Sequence, residues 1–205
     1  MNVYSSAKPG WQNHRRSRAC QRGVFAIEFS FVFIVFLMAV FAVFEISRAL
    51  YVFNTLQEVT RRAARSAATT DFSNTAAMDQ LRREAVFRTS SGTLAFAAPI
   101  SDKHIVIDYM ALENETGPAM TRTVIPAGSL PACPTRNRVI CTADAGSPSC
   151  IRFVRVRICQ PGTNCSPVPF STITSLLKLP INHPTSTTIV KAESLGYKPG
   201  DPLCN

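Results

Sequence analysis

Residues 24–44 read VFAIEFSFVFIVFLMAVFAVF, an apolar run of 21 residues in which only Glu28 and Ser30 are polar. A helix rising 1.5 Å per residue covers with this run a hydrocarbon core of about 30 Å. Core helices of soluble proteins keep a polar stripe, and this run has none. The preceding 22 residues carry Lys8, Arg15, Arg16, Arg18 and Arg22 and no acid. A basic flank of this kind stays cytoplasmic, which sends the C-terminal part to the other side. Arg48, Arg61 and Arg62 oppose that orientation weakly, being fewer near the membrane and set behind Glu45. A secretory signal peptide fits poorly, because its apolar core spans only about 7–15 residues and Ser47-Arg48-Ala49 is a poor cleavage site. A lipoprotein signal would need its cysteine after the run, and Cys20 precedes it.

The formal net charge of +9 invites a nucleic-acid reading, but its distribution argues against one. Removing the five cations of the leader leaves 17 basic residues against 13 acidic, a net of +4. These form no dense patch, and no nucleic-acid-binding signature is present, so no nucleic-acid partner is expected. Six of the seven cysteines, Cys133, Cys141, Cys150, Cys159, Cys165 and Cys204, fall in the C-terminal third at spacings of 8, 9, 9, 6 and 39. No CxxC pair occurs among them, so zinc is not expected. An even set in a Pro/Gly/Ser-rich stretch reads as up to three disulfides, which form in an oxidising compartment. Fifteen pairings are open.

Glu28 is the most informative residue. A carboxylate inside a bilayer helix costs on the order of 3 kcal/mol or more without a partner. Being about one turn into the helix, it could snorkel to the headgroups. Its setting suggests more: Gly23-Val24-Phe25-Ala26-Ile27-Glu28-Phe29 follows the basic leader directly. A cut after Gly23 would free the Val24 amine, which could pair with Glu28 of a neighbouring subunit and relieve both charges. Arg22-Gly23-Val24-Phe25-Ala26-Ile27-Glu28-Phe29 resembles the processing motif of type IVb prepilins, in particular of TadE/TadF-like pseudopilins of the tight-adherence (Flp) pilus. The resemblance implies a prepilin peptidase cutting between Gly23 and Val24, with Glu28 as the recognition and assembly acid. Phe29 stands where Flp pilins commonly have tyrosine. Arg61-Arg62-Ala63-Ala64-Arg65-Ser66-Ala67 is also similar to the family, and Val154–Val156 and Thr187–Glu193 more loosely so.

Leu50, Phe53, Leu56, Val59, Ala63 and Ala67 extend a helical period beyond the membrane, predicting one helix from Val24 to Ala68. A coiled-coil dimer is the alternative for its outer half. A shorter helix is predicted over Thr75–Arg88 with Met78, Leu81 and Ala85 inward, then strands at His104–Leu112, Thr121–Ile125, Ile151–Cys159 and Thr185–Glu193. Glu115–Pro118 reads as a turn, and Phe170–Leu179 as a short apolar helix or a membrane-hugging loop. Ile151–Cys159 alternates, with Val154, Val156 and Ile158 opposite Arg155 and Arg157, and a slip at Phe153-Val154 suggests a bulge. The expected division is a leader at 1–23, a transmembrane helix at 24–44, its extension at 45–70 and an exported domain at 71–205. Residues 126–170 form its Cys-rich region, with 126–150 read as loop. The fold class is α+β, a long N-terminal helix packed on a small antiparallel sheet in a pilin-like arrangement.

No catalytic motif appears. HExxH, GxSxG, P-loop and GxGxxG are all missing, and the histidines, His14, His104 and His183, stand apart. Asp102 beside His104 reads as a surface pair, and the Arg155/Arg157 stripe as a solvated sheet face. The expectation is therefore a non-enzymatic protein with no cofactor and no metal. It would be a minor pilin or pseudopilin in the bacterial inner membrane, N-terminus cytoplasmic and C-terminal domain periplasmic or extracellular. Its expected partners are prepilin peptidase, other pilins or pseudopilins, inner-membrane pilus assembly proteins and the lipid bilayer. The alternative is an uncleaved single-pass anchor carrying a disulfide-stapled binding domain.

Overall fold

The computed structural model describes residues 21–114, 120–172, 182–183 and 185–204. The leader through Cys20, the turn at Glu115–Pro118 and all but the start of Phe170–Leu179 lie outside the described residues. The chain forms two compact units, Met1–Phe44 and Glu45–Asn205. Helix α1, Gln21–Thr69, contributes to both.

In the first unit α1 leaves large apolar side chains exposed on all sides, among them Phe25, Ile27, Phe31, Val32, Ile34 and Val35. Neither proline nor a second glycine interrupts it. The Ser30 hydroxyl donates to the Ala26 carbonyl at 2.7 Å, so the helix itself satisfies the one hydroxyl in the run.

In the second unit the buried face of α1 is Val52, Leu56, Val59, Thr60, Ala63, Ala64, Ala67 and Ala68. This corrects the start of the predicted stripe. Leu50 is 57 % exposed and Phe53 half-buried, while Val52 points inward. The two steps of three from Leu50 to Leu56 each fall about 60° short of a turn, which carries Leu50 about 120° around the helix. Beyond Val59 the face consists of alanines and Thr60, small enough for the sheet to approach closely. Thr60 carries the polar link: its Oγ1 lies 3.0 Å from Ser186 Oγ and accepts from Thr188 Oγ1 at 2.9 Å.

The sheet contains β1 (Ile105–Asn114), β2 (Met120–Val124), β3 (Phe153–Ile158) and β4 (Thr187–Lys191) in the order β2-β1-β3-β4. All pairings are antiparallel. Val154, Val156 and Ile158 enter the core shared with α1, as their alternation predicts. The bulge does not form: pairing runs without a break from Ile105–Ile158 to Met110–Phe153. Phe153 stays on the arginine face, where the Arg122 guanidinium covers its ring at 4.9 Å. A cation, not a change of register, accommodates this apolar residue.

Helix α2, Thr75–Ala85, is capped by Asn74, whose side chain accepts the Ala77 N–H at 3.1 Å. Met78, Leu81 and Ala85 are buried as predicted. The helix stops short of Arg88 because Phe87 adopts φ +58, which ends the right-handed spiral. A third helix, α3 at Pro134–Ala143, replaces the loop expected over 126–150. Pro134 sits in its first turn, where a missing N–H costs nothing. Buried Asn137 accepts the Ile151 N–H at 2.8 Å and ties α3 to the approach to β3.

The C-terminal segment closes the end of α1. The Ala68 carbonyl accepts the N–H groups of Glu193 at 3.1 Å and Leu195 at 3.0 Å. Next in the chain, Gly196 has φ +83, and a Cβ there would lie 2.5 Å from the Asp71 nitrogen. All six candidate cysteines pair: Cys133–Cys204, Cys141–Cys150 and Cys159–Cys165. The α+β class is thus observed, a long apolar helix with a four-stranded antiparallel sheet.

Candidate functional site

Gly23, Val24, Glu28 and Phe29 lie together near the start of α1. A Cβ on Gly23 would meet nothing within 4 Å, so packing does not require glycine there. Val24 and Phe29 are exposed, and Phe29 stacks on Phe33 with ring centroids 5.8 Å apart. Val24 and Glu28 are four residues apart, hence on one face of the helix. Glu28 is exposed and makes no hydrogen bond or ion pair among the described residues. The site is therefore a strip of apolar side chains interrupted by one acid.

A second cluster centres on Arg48, which the sequence marks only through Glu45 one turn earlier. Arg48 Nη1 donates to Glu45 Oε2 at 3.2 Å and to the Ser171 carbonyl at 2.8 Å, and Nε donates to the Phe96 carbonyl at 2.8 Å. Its guanidinium lies 4.8 Å from the centre of the Phe170 ring. Only 9 % of the Arg48 side chain and 6 % of that of Glu45 remain exposed. The Ser171 hydroxyl donates to the Ala98 carbonyl at 2.8 Å, joining the two loops that meet on Arg48. Those partners lie 48 and 123 residues away, beyond any local pattern.

His183 also packs against Phe170, centroids 5.1 Å apart, with 2 % of its surface exposed. Neither ring nitrogen has a hydrogen-bond partner among the described residues. Burial, then the neighbouring Arg48 and His104, pushes its pKa down to about 4. Asp102 and His104 interact through charge, as the expected pair implies, but take different hydrogen-bond partners. Asp102 accepts from Ser91 Oγ and the Gly92 N–H, whereas His104 Nδ1 accepts the Ser101 N–H at 3.1 Å. Burial lowers the His104 pKa, with Asp102 opposing.

The arginine face of the sheet is paired, not simply solvated. Asp108 Oδ2 accepts from Nε of both Arg155 and Arg157 at 3.0 Å, and their Nη2 atoms lie 3.0 and 2.8 Å from it. One carboxylate thus holds two guanidinium groups, leaving a local excess of one positive charge. Among the described residues no group of three or more His, Cys, Asp or Glu side chains could hold a metal ion.

Residues 23–65 match the family model of TadE-like protein. The match begins at Gly23, takes in Glu28 and the whole apolar run, and ends within the second half of α1. It makes residues 23–65 similar to the TadE-like family and takes in the Gly23–Phe29 motif that carries the resemblance. The TadE-like segment includes a helix long and apolar enough to cross a membrane, and α2, α3 and the sheet lie outside the matched residues. No curated protein matches the chain. No solved structure matches it either.

Proposed function

We propose that this chain is a minor pilin or pseudopilin acting in assembly of a Tad/Flp-type pilus, with a structural and not a catalytic role. The observation that carries this reading is Glu28, an acid set in an exposed apolar helix five residues after the glycine at which the TadE-like match begins. Prepilin peptidase cuts between Gly23 and Val24. The new Val24 amine then meets Glu28 of an adjacent subunit, and the two charges settle together among apolar helices. The freedom around Gly23 supports its role as a processing residue, since the fold makes no demand for glycine there.

The leader remains in the cytoplasm, residues 24–44 cross the inner membrane, and the disulfide-bonded domain stands outside. Arg48 supports this orientation. It sits closest to the far end of the span, and its charge is neutralised by Glu45 and covered by Phe170. It therefore weighs less against the leader than an exposed cation would. Other pilins and the inner-membrane assembly proteins of the pilus are its partners.

N-terminal sequencing and intact mass of the membrane-extracted protein test the reading. Val24 is the expected first residue. Recovery of the intact Met1 leader from a strain with active prepilin peptidase would overturn the pseudopilin assignment in favour of an uncleaved anchor. Replacing Gly23 should abolish processing. Glu28→Ala should leave cleavage and membrane insertion intact and remove assembly.

A further inference from the structure

We propose that the open edge of β1 beside α2 is a docking slot for an extended, acid-bearing segment of a partner protein, which joins the sheet as an added strand. The slot lies wholly within the unit Glu45–Asn205 and does not depend on the pilin reading. Strand β1 spans Ile105–Asn114, but β2 pairs with it only from Met110 onward. The last bond at that boundary runs from the Ile125 N–H to the Tyr109 carbonyl at 2.9 Å. Continued in the same register, Ala127 would stand opposite Ile107. The chain instead leaves the sheet at Pro126 and winds into a 3-10 turn at Ala127–Ser129. From Ile105 to Asp108, β1 therefore has β3 on one side and, among the described residues, no strand on the other. At 3.3 Å per residue this open stretch is about 13 Å long. Alternation decides which backbone groups it presents. The Cys159 N–H donates to the His104 carbonyl, so even-numbered residues of β1 bond to β3 and odd-numbered ones face the other edge, as Tyr109 does. Ile107 thus turns its N–H and C=O outward, with no partner for either among the described residues.

Charge selects the occupant. Ile105 and Ile107 line a cleft of about 590 Å³ together with Arg82 and Arg83 of α2 and Lys103. Two acids share that cleft, and both are engaged. Asp79 holds Arg82 at 2.7 Å, and Asp102 accepts from Ser91 Oγ and the Gly92 N–H. Arg83 and Lys103 have no acid partner among the described residues, so the cleft keeps uncompensated positive charge. A residue added opposite Ile107 presents its side chain on the same face as Ile107. That is the face α2 packs on, where the Tyr109 hydroxyl reaches Met78 Sδ at 3.8 Å. A carboxylate at that position meets the cations of the cleft. Edge strands that repel neighbours carry lysine or proline in the strand itself. Ile105-Val106-Ile107 carries neither, and the cations stand on flanking elements, where they attract an acid without blocking the edge. Main-chain bonds give such strand addition its affinity, and alternate side chains give it selectivity.

The test uses the detergent-solubilised full chain, isotope-labelled at isoleucine, and the peptide acetyl-Ser-Thr-Val-Glu-Val-Thr-Ser-amide as probe. On titration the Ile107 amide signal should shift and its hydrogen exchange should slow at least tenfold. Ile189 is the internal control, because its N–H faces the other open edge of the sheet, away from β3. It should not respond. Methylating the glutamate nitrogen of the peptide removes the N–H that meets the Ile107 carbonyl, and should abolish binding. Glutamine in place of the peptide glutamate should weaken binding about two- to fivefold, as loss of a partly exposed ion pair does. Arg83→Gln combined with Lys103→Gln should weaken the glutamate peptide alike and leave the glutamine peptide unchanged. Absence of protection at Ile107, equal protection at Ile189, or undiminished binding of the methylated peptide overturns the slot. An Ile107 amide already slow to exchange without peptide does so too, since the edge is then filled. Equal affinity for the glutamate and glutamine peptides overturns the acidic occupant.

Discussion

Two glycines show how differently one residue type can be constrained. Gly196 combines φ +83 with a backbone contact that leaves no room for a Cβ, because the chain presses it against Asp71 at the end of α1. Gly196→Ala is expected to destabilise the protein by about 3 kcal/mol, combining left-handed strain with overpacking. Denaturant unfolding of the detergent-solubilised chain would register this. Gly23→Ala should leave the same unfolding curve unmoved, since a Cβ there meets nothing. His183 provides a pH dependence with a definite sign. Unfolded, it takes up a proton as pH falls through 6.5, while the buried ring stays neutral until about pH 4. The unfolded chain binds more protons in that window, so stability is complete above about pH 6.5 and declines toward pH 4. The full shift corresponds to about 3 kcal/mol. His183→Leu should flatten most of that decline in a series of melting temperatures against pH. His104, lowered in the same direction, leaves a smaller slope. An unchanged slope in His183→Leu would contradict the assignment. Glu28 was legible because its whole context lies within seven neighbouring residues. His183 and Arg48 were not, since the groups that bury them come from distant parts of the chain.

At the scale of elements, periodicity carried the fold wherever one face meets a core. The α2 positions and the alternation of β3 were readable for that reason, because burial repeats every turn or every second residue. The stripe on α1 failed at its first members, where three-residue steps drift away from the domain. Two substitutions separate the stripes. Leu56→Ala, at a fully buried position, should cost about 2–5 kcal/mol. Leu50→Ala should leave domain stability within about 0.5 kcal/mol of the parent. Equal losses at both positions would restore the sequence-derived stripe. Helix α3 escaped notice for another reason. Its residues 134–143 carry little amphipathic signal, and its anchors are long-range: Asn137 on the Ile151 backbone, and disulfides from Cys133 and Cys141. Composition pointed to a loop held by cysteines; the cysteines hold a helix.

For the whole molecule, the two units place opposite demands on their surroundings. Residues 24–44 expose apolar surface that only lipid or other apolar helices can cover, while the domain after Phe44 is stapled by bonds that require an oxidising compartment. Both demands are met if the span carries the domain out of the cytoplasm. The cysteine count announced the staples, but choosing one pairing among fifteen needs the fold, which brings Cys204 back to the start of α3. The bridges differ in what they restrain. Cys133–Cys204 joins positions 71 residues apart, and Cys159–Cys165 positions 6 apart. Loop-closure entropy assigns the first about 4 kcal/mol and the second about 2. Replacing Cys133 and Cys204 together by serine should therefore lower the denaturation midpoint more than the same change at Cys159 and Cys165. Cys133→Ser/Cys204→Ser should also loosen the closure of α1 by the 193–196 segment, which hydrogen exchange at Glu193 and Leu195 would report. Thiol titration of the native protein should find no free cysteine beyond Cys20, and six reduced thiols there would contradict export. Equal midpoint losses for the two double variants would show that strain or residual structure in the unfolded chain, and not loop length, sets the strength of these staples.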